Sequence, residues 1–75
     1  MDLATTRALK RKTQWDLRKI TGIHQSKISL IEHGYIVPDD EEKAAIAEAL
    51  EVAITEIDWP IVGYADKKFG KDHRR

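Results

Sequence analysis

The chain has no cysteine, so neither a disulfide framework nor a cysteine-based zinc site can staple its 75 residues. Long apolar runs are missing too. The longest, Ala44 to Ala47, is too short to cross a bilayer or to form the apolar segment of a secretion signal, and a cytoplasmic location is expected. Stability must come from tightly packed helices or from a partner. An apolar content of 41% suffices for one small core, expected over residues 1–59, followed by a partly flexible basic tail over 60–75.

Net charge is absent as well, with 13 Lys+Arg against 13 Asp+Glu. The sum hides a strong segregation. Residues 1–38 hold seven bases and three acids, residues 39–58 hold eight acids and the single base Lys43, and residues 59–75 hold five bases and two acids. The chain is therefore basic, then acidic, then basic, and it can present a basic face while remaining neutral.

Gly22, Gly34, Pro38 and Pro60 punctuate the chain, and the intervals between them read as short helices. Nothing breaks a first helix between Met1 and Lys12. Thr13 with Asp16 forms a capping pair for a second, whose apolar stripe of Leu17 and Ile20 runs up to Gly22. A third spans His24 to His33, with Ile28 and Ile31 on one face and Gly34 as a left-handed terminator. Tyr35 to Pro38 should be extended. Asp39 with Glu42 then caps a fourth helix from about Asp40 to about Glu51, with Ile46, Ala47 and Leu50 inward. Ile54, Ile57 and Trp59 suggest a fifth short helix or turn.

The informative stretch is Gln14 to Gly34. Two short helices meet at Gly22, with apolar side chains at Leu17, Ile23, Ile28 and Ile31 spaced to lock one across the other, as a helix-turn-helix requires. Gln25, Ser26, Lys27, Ser29 and Leu30 remain outward on the second of the pair.

With these residues in register, and with Pro38, Ile46-Ala47, Leu50, Val52, Ile54 and Ile57 following without a gap, the chain resembles the Cro and lambdoid phage repressor (Xre-like) helix-turn-helix family. The resemblance covers roughly Leu3 to Trp59 and implies an all-α, five-helix DNA-binding fold. It further implies base contacts from Gln25, Ser26, Ser29 and Leu30, with Gln25 able to bond adenine and Leu30 to pack on a thymine methyl. Phosphate contacts are implied for Gln14 and Lys27, with Trp15 and His24 as further candidates. An ion pair between Arg7 and Glu32 is implied as a structural feature. The family commonly binds double-stranded DNA as a homodimer on half-sites roughly 34 Å apart. Ile54, Ile57, Trp59, Ile61 and Val62 are the candidate dimer contacts.

Three positions depart from the family pattern. Arg18 stands where alanine is usual at the helix contact, Lys12 where leucine is usual, and His24 where a hydroxyl cap is usual. An arginine can accommodate the contact by running its stem along the surface.

Other chemistries find little support. His24, His33 and His73 have no metal-ligand spacing, and no strand-turn-helix elbow surrounds Ser26 or Ser29, so neither a metal, a cofactor nor an enzyme is expected. Asp39 to Glu42 has consecutive rather than alternating acids and reads as a helix start, not a calcium loop. The alternative to a transcriptional regulator, a repressor of the phage or mobile-element kind, is a protein-interaction module such as an antitoxin or adaptor. It would dock through the acidic fourth helix or the tail.

Overall fold

A computed structural model describes residues 1–61, and the tail residues 62–75, including Val62, lie outside the described part. Four helices follow in order: α1 (Leu3–Leu9), α2 (Gln14–Thr21), α3 (Gln25–Glu32) and α4 (Asp40–Leu50). A single 3-10 turn, Ile54–Glu56, takes the place of the fifth helix; its N-cap, Ala53, has no side-chain hydrogen bond to offer. Among the described residues there is no strand, only an isolated parallel bridge between Asp2 and Asp58 that ties the first residues to those after the 3-10 turn. No described helix is long and apolar enough to cross a membrane.

Each α-helix begins on a side chain that satisfies an otherwise orphaned amide. Asp2 accepts from the Thr5 N–H at 2.8 Å. Thr13 with Asp16 and Asp39 with Glu42 form complete capping boxes, in which cap and third residue bond each other's backbone N–H. His24 caps α3 through its ring, Nδ1 accepting from Ser26 N–H at 3.1 Å. An imidazole nitrogen thus substitutes for the missing hydroxyl.

The helix ends follow one rule. After each helix a residue turns left-handed: Arg11 (φ 59°), Gly22 (φ 81°), Gly34 (φ 79°) and Glu51 (φ 60°). After α1, α3 and α4 the same backbone bond closes the turn, from Lys12 N–H to Arg7 O (3.0 Å), Tyr35 N–H to Leu30 O (2.9 Å) and Val52 N–H to Ala47 O (3.0 Å). α1 is therefore shorter than the expected Met1 to Lys12.

α2 packs against both α3 and α4, and α4 against the 3-10 turn. The core comprises Leu3, Leu17, Ile28, Ile31, Ile46, Ala47, Leu50 and Ile57, with Ile23, Ile36, Ala49, Val52 and Trp59 packed around it. Each fully buried aliphatic side chain contributes about 1.5–3 kcal/mol of transfer free energy. Two assignments are corrected. Ile20, expected on the inner stripe of α2, is 56% exposed and takes no part in the core that Leu17, three residues earlier, belongs to. Ile57, expected at a dimer contact, is only 3% exposed and belongs to the core.

Candidate nucleic-acid interface

The elements that could meet a duplex are α3 and the start of α2, and their placement depends on one buried polar network. Glu32, with its side chain 5% exposed, accepts from Arg7 Nε at 2.7 Å and from Arg7 Nη2 at 3.2 Å, a bidentate pair. The same carboxylate accepts from Gln14 Nε2 at 2.9 Å, and Arg7 Nη1 donates to Lys12 O at 3.0 Å. The network thus joins α1, the α1–α2 connection, the first residue of α2 and the last residue of α3. Gln14 Nε2 is thereby bonded to a carboxylate within the protein, and the residue as a whole is half-buried.

The link from α2 to α3 is Gly22, Ile23 and His24. Thr21 Oγ1 donates to Leu17 O at 2.7 Å and accepts from Ile23 N–H at 3.1 Å, so one hydroxyl braces both sides of the turn. Gly22 supplies the positive φ, and a Cβ there would meet nothing within 4 Å. The glycine is thus needed for its backbone conformation and not for close packing.

On α3, Ser26 and Leu30 are exposed and Gln25, Lys27 and Ser29 are half-buried. Besides Gln14, four of the candidate contact residues already have hydrogen-bond partners within the protein. Lys27 Nζ lies 2.6 Å from Glu42 Oε2 on α4. The hydrogen bond to Glu42 holds its ammonium pKa above the ordinary value, with the charges of Glu42 and Asp39 adding to it. Its ammonium is thus paired with one of the protein's own carboxylates, while 43% of its side chain stays exposed. His24 Nδ1 is 2.7 Å from Ser26 Oγ as well as capping α3. Accepting from the Ser26 N–H requires Nδ1 to be unprotonated, which puts the neutral ring's proton on Nε2. Gln25 Oε1 accepts from Arg18 Nη1 at 3.0 Å, and the Arg18 guanidinium lies 5.3 Å from the Trp15 ring centroid. Trp15 is 57% exposed, so the arginine at the helix contact has been folded outward onto an aromatic face.

Besides Arg18, which bonds Gln25, four cations of the first half have no acidic side chain among the described residues as a hydrogen-bond or ion-pair partner: Lys10, Arg11 and Lys19, which are exposed, and Lys12, which is half-buried. Arg11, Lys12 and Lys19 line a shallow depression of about 270 Å³ together with Asp16 and Ile20. Of the candidate dimer residues, Ile54 (41%) and Ile61 (90%) are exposed, whereas Trp59 packs on the core and its indole N–H donates to Ile54 O at 2.9 Å. Among the described residues no group of three His, Cys, Asp or Glu side chains is arranged to hold a metal ion.

Compared with family models, with curated proteins and with solved structures, the chain matches none.

Proposed function

We propose that the chain is a sequence-specific double-stranded DNA-binding protein, a transcriptional repressor of the phage or mobile-element kind, with α2 and α3 as its helix-turn-helix. The observation that carries this reading is the α2–α3 pair itself. Leu17, Ile28 and Ile31 are buried together across a left-handed Gly22, while Gln25, Ser26, Ser29 and Leu30 lie along α3 with Ser26 and Leu30 exposed. An eight-residue helix held this way enters the major groove with its first turn at the base edges. Bound repressor then blocks polymerase.

Phosphate attraction falls to Lys10, Arg11, Lys12 and Lys19, since Lys27 is paired with Glu42 and Gln14 with Glu32. Dimerisation on DNA uses the exposed Ile54 and Ile61. The test is a binding-site selection from random duplexes with purified protein. Replacing Gln25 and Ser26 by alanine should relax sequence choice, each lost base contact costing roughly 1–3 kcal/mol. If the unaltered protein enriches no site, the reading fails.

One observation favours a second reading, an adaptor that holds a protein partner. Asp39, Asp40 and Glu41 stand exposed together at the start of α4, next to the Lys27–Glu42 pair on the α3 side. Failure to enrich a site would shift the weight to this acidic surface.

A further inference from the structure

We infer that Arg18 is a positioning residue that sets the base preference of Gln25, turning it from adenine to guanine; the inference rests on the DNA-binding reading above. Arg18 and Trp15 are three apart on α2 and therefore neighbours on its surface, and the guanidinium stacks 5.3 Å from the indole centroid. From there Nη1 reaches across to α3 and donates to Gln25 Oε1 at 3.0 Å. A guanidinium has donors and no acceptor, so the carboxamide atom facing it must be the oxygen. The amide is planar. Fixing Oε1 against α2 therefore turns Nε2, with its two N–H donors, away from α2.

A glutamine that reads adenine needs both ends of its amide, Nε2 donating to N7 and Oε1 accepting from the N6 amino group. Here the oxygen is held by a cation whose own position is restrained by the stacked Trp15. What remains for a base edge is a donor pair, and the edge that offers two acceptors and no donor in the major groove is guanine, with N7 and O6. The half-burial of Arg18 and Gln25 supports one held arrangement over two freely rotating side chains. The arginine that departs from the alanine usual at the helix contact thereby becomes part of the reading surface.

The experiment is binding-site selection with the unaltered protein, Gln25→Ala, Arg18→Ala and Arg18→Met. It is accompanied by amide NMR of the free proteins and by thermal melts to confirm folding. Gln25→Ala identifies the base pair that Gln25 faces, as the position whose preference is lost. The unaltered protein should prefer guanine there, and both Arg18 variants should move the ratio of guanine to adenine by about tenfold toward adenine. In the free protein the Gln25 side-chain NH₂ resonances should shift in both Arg18 variants, a change that does not depend on DNA. Adenine preference in the unaltered protein, or a preference unchanged by Arg18→Ala, overturns the inference while leaving DNA binding intact. So does a guanine preference that survives in the methionine variant, which keeps the packing and lacks the donors. Unchanged Gln25 NH₂ resonances in both variants also overturn it. No enriched site for the unaltered protein overturns DNA binding, and the base-preference inference with it.

Discussion

Removing Arg7 should destabilise the protein more than any substitution at its surface, because it leaves a carboxylate in the interior without its counter-ion. Glu32 has only 5% of its side chain exposed, and Arg7 provides two of the three side-chain hydrogen bonds it receives. Breaking a buried ion pair by removing one partner costs about 3–5 kcal/mol. Arg7 retains 20% side-chain exposure, so water reaches part of the vacated space, and Gln14 still donates to the carboxylate. A loss of about 2–3 kcal/mol is expected for Arg7→Met, a large part of the roughly 3–9 kcal/mol that a domain of this size possesses. In thermal unfolding followed by circular dichroism this corresponds to a fall in Tm on the order of 10–20 °C.

The double variant Arg7→Met/Glu32→Leu distinguishes a charge left stranded from a pair that is itself favourable. Replacing both members by apolar side chains removes the stranded charge, and recovery to within about 1 kcal/mol of the original stability is expected. Lys12 O and the Gln14 amide lose their partners, but both residues are only half-buried, so water can replace the lost bonds. A cost below about 1 kcal/mol for Arg7→Met, or a double variant less stable than the single one, refutes the reasoning that Glu32 depends on Arg7 for its charge.

Leu17, fully buried where α2 meets α3 and α4, should cost about 2–5 kcal/mol when changed to alanine, read as a lower denaturation midpoint in urea. Glu51 ends α4 with φ 60° and an exposed side chain, so Glu51→Gly should stabilise by about 0.5–1 kcal/mol in the same assay, and a loss of stability refutes the assignment of strain there. Asp16 has its pKa held below the usual 3.8, first by the hydrogen bond from the Thr13 backbone N–H and then by the Thr13 hydroxyl. A lowered pKa gives a contribution that is present above the unfolded value and lost as pH falls through the folded one, so it disappears below about pH 4. Thr13→Val should raise the Asp16 value in a carboxyl NMR titration. Ile54→Ser with Ile61→Ser should convert any dimer seen by sedimentation to monomer without lowering Tm, because both side chains are outside the core.

The helix starts were legible wherever an oxygen side chain stood three residues before an acid, as at Thr13 with Asp16 and Asp39 with Glu42. They were less so at His24, where a ring nitrogen does the same task. The ends were legible at Gly22 and Gly34. At Arg11 and Glu51 the backbone makes the same left-handed turn with residues that carry no such signal, which is why α1 was expected to run on to Lys12. Apolar spacing identified Leu17, Ile28, Ile31, Ile46 and Leu50 as core but could not separate Ile20 from Ile57. That distinction depends on which elements arrive from elsewhere in the chain: among the described residues none covers Ile20, whereas the turn just before Ile57 packs against α4. The partners of Gln14, Lys27 and Gln25 were hidden for the same reason, since each hydrogen bond spans two elements and none leaves a local pattern.

These internal partners alter the electrostatic case more than the neutral total does. Arg7 and Lys27 are each matched with a carboxylate, and Arg18 is folded over Trp15 toward Gln25. Of the seven bases in residues 1–38, the four without such a partner, Lys10, Arg11, Lys12 and Lys19, lie at the end of α1, in its connection to α2 and on α2. α3 has no basic residue other than Lys27, and the acids that open α4 stand beside it. Under the DNA-binding reading, backbone attraction then comes from one flank of the groove-facing helix. Each phosphate neutralised adds about 0.9 to the slope of log affinity against log salt. Among the described residues four such cations set a shallow slope, and on that reading the affinity that survives at high salt comes from the uncharged side chains of α3. On the same reading, the described part of the chain gains little from binding DNA at random, and its affinity rests on Gln25, Ser26, Ser29 and Leu30.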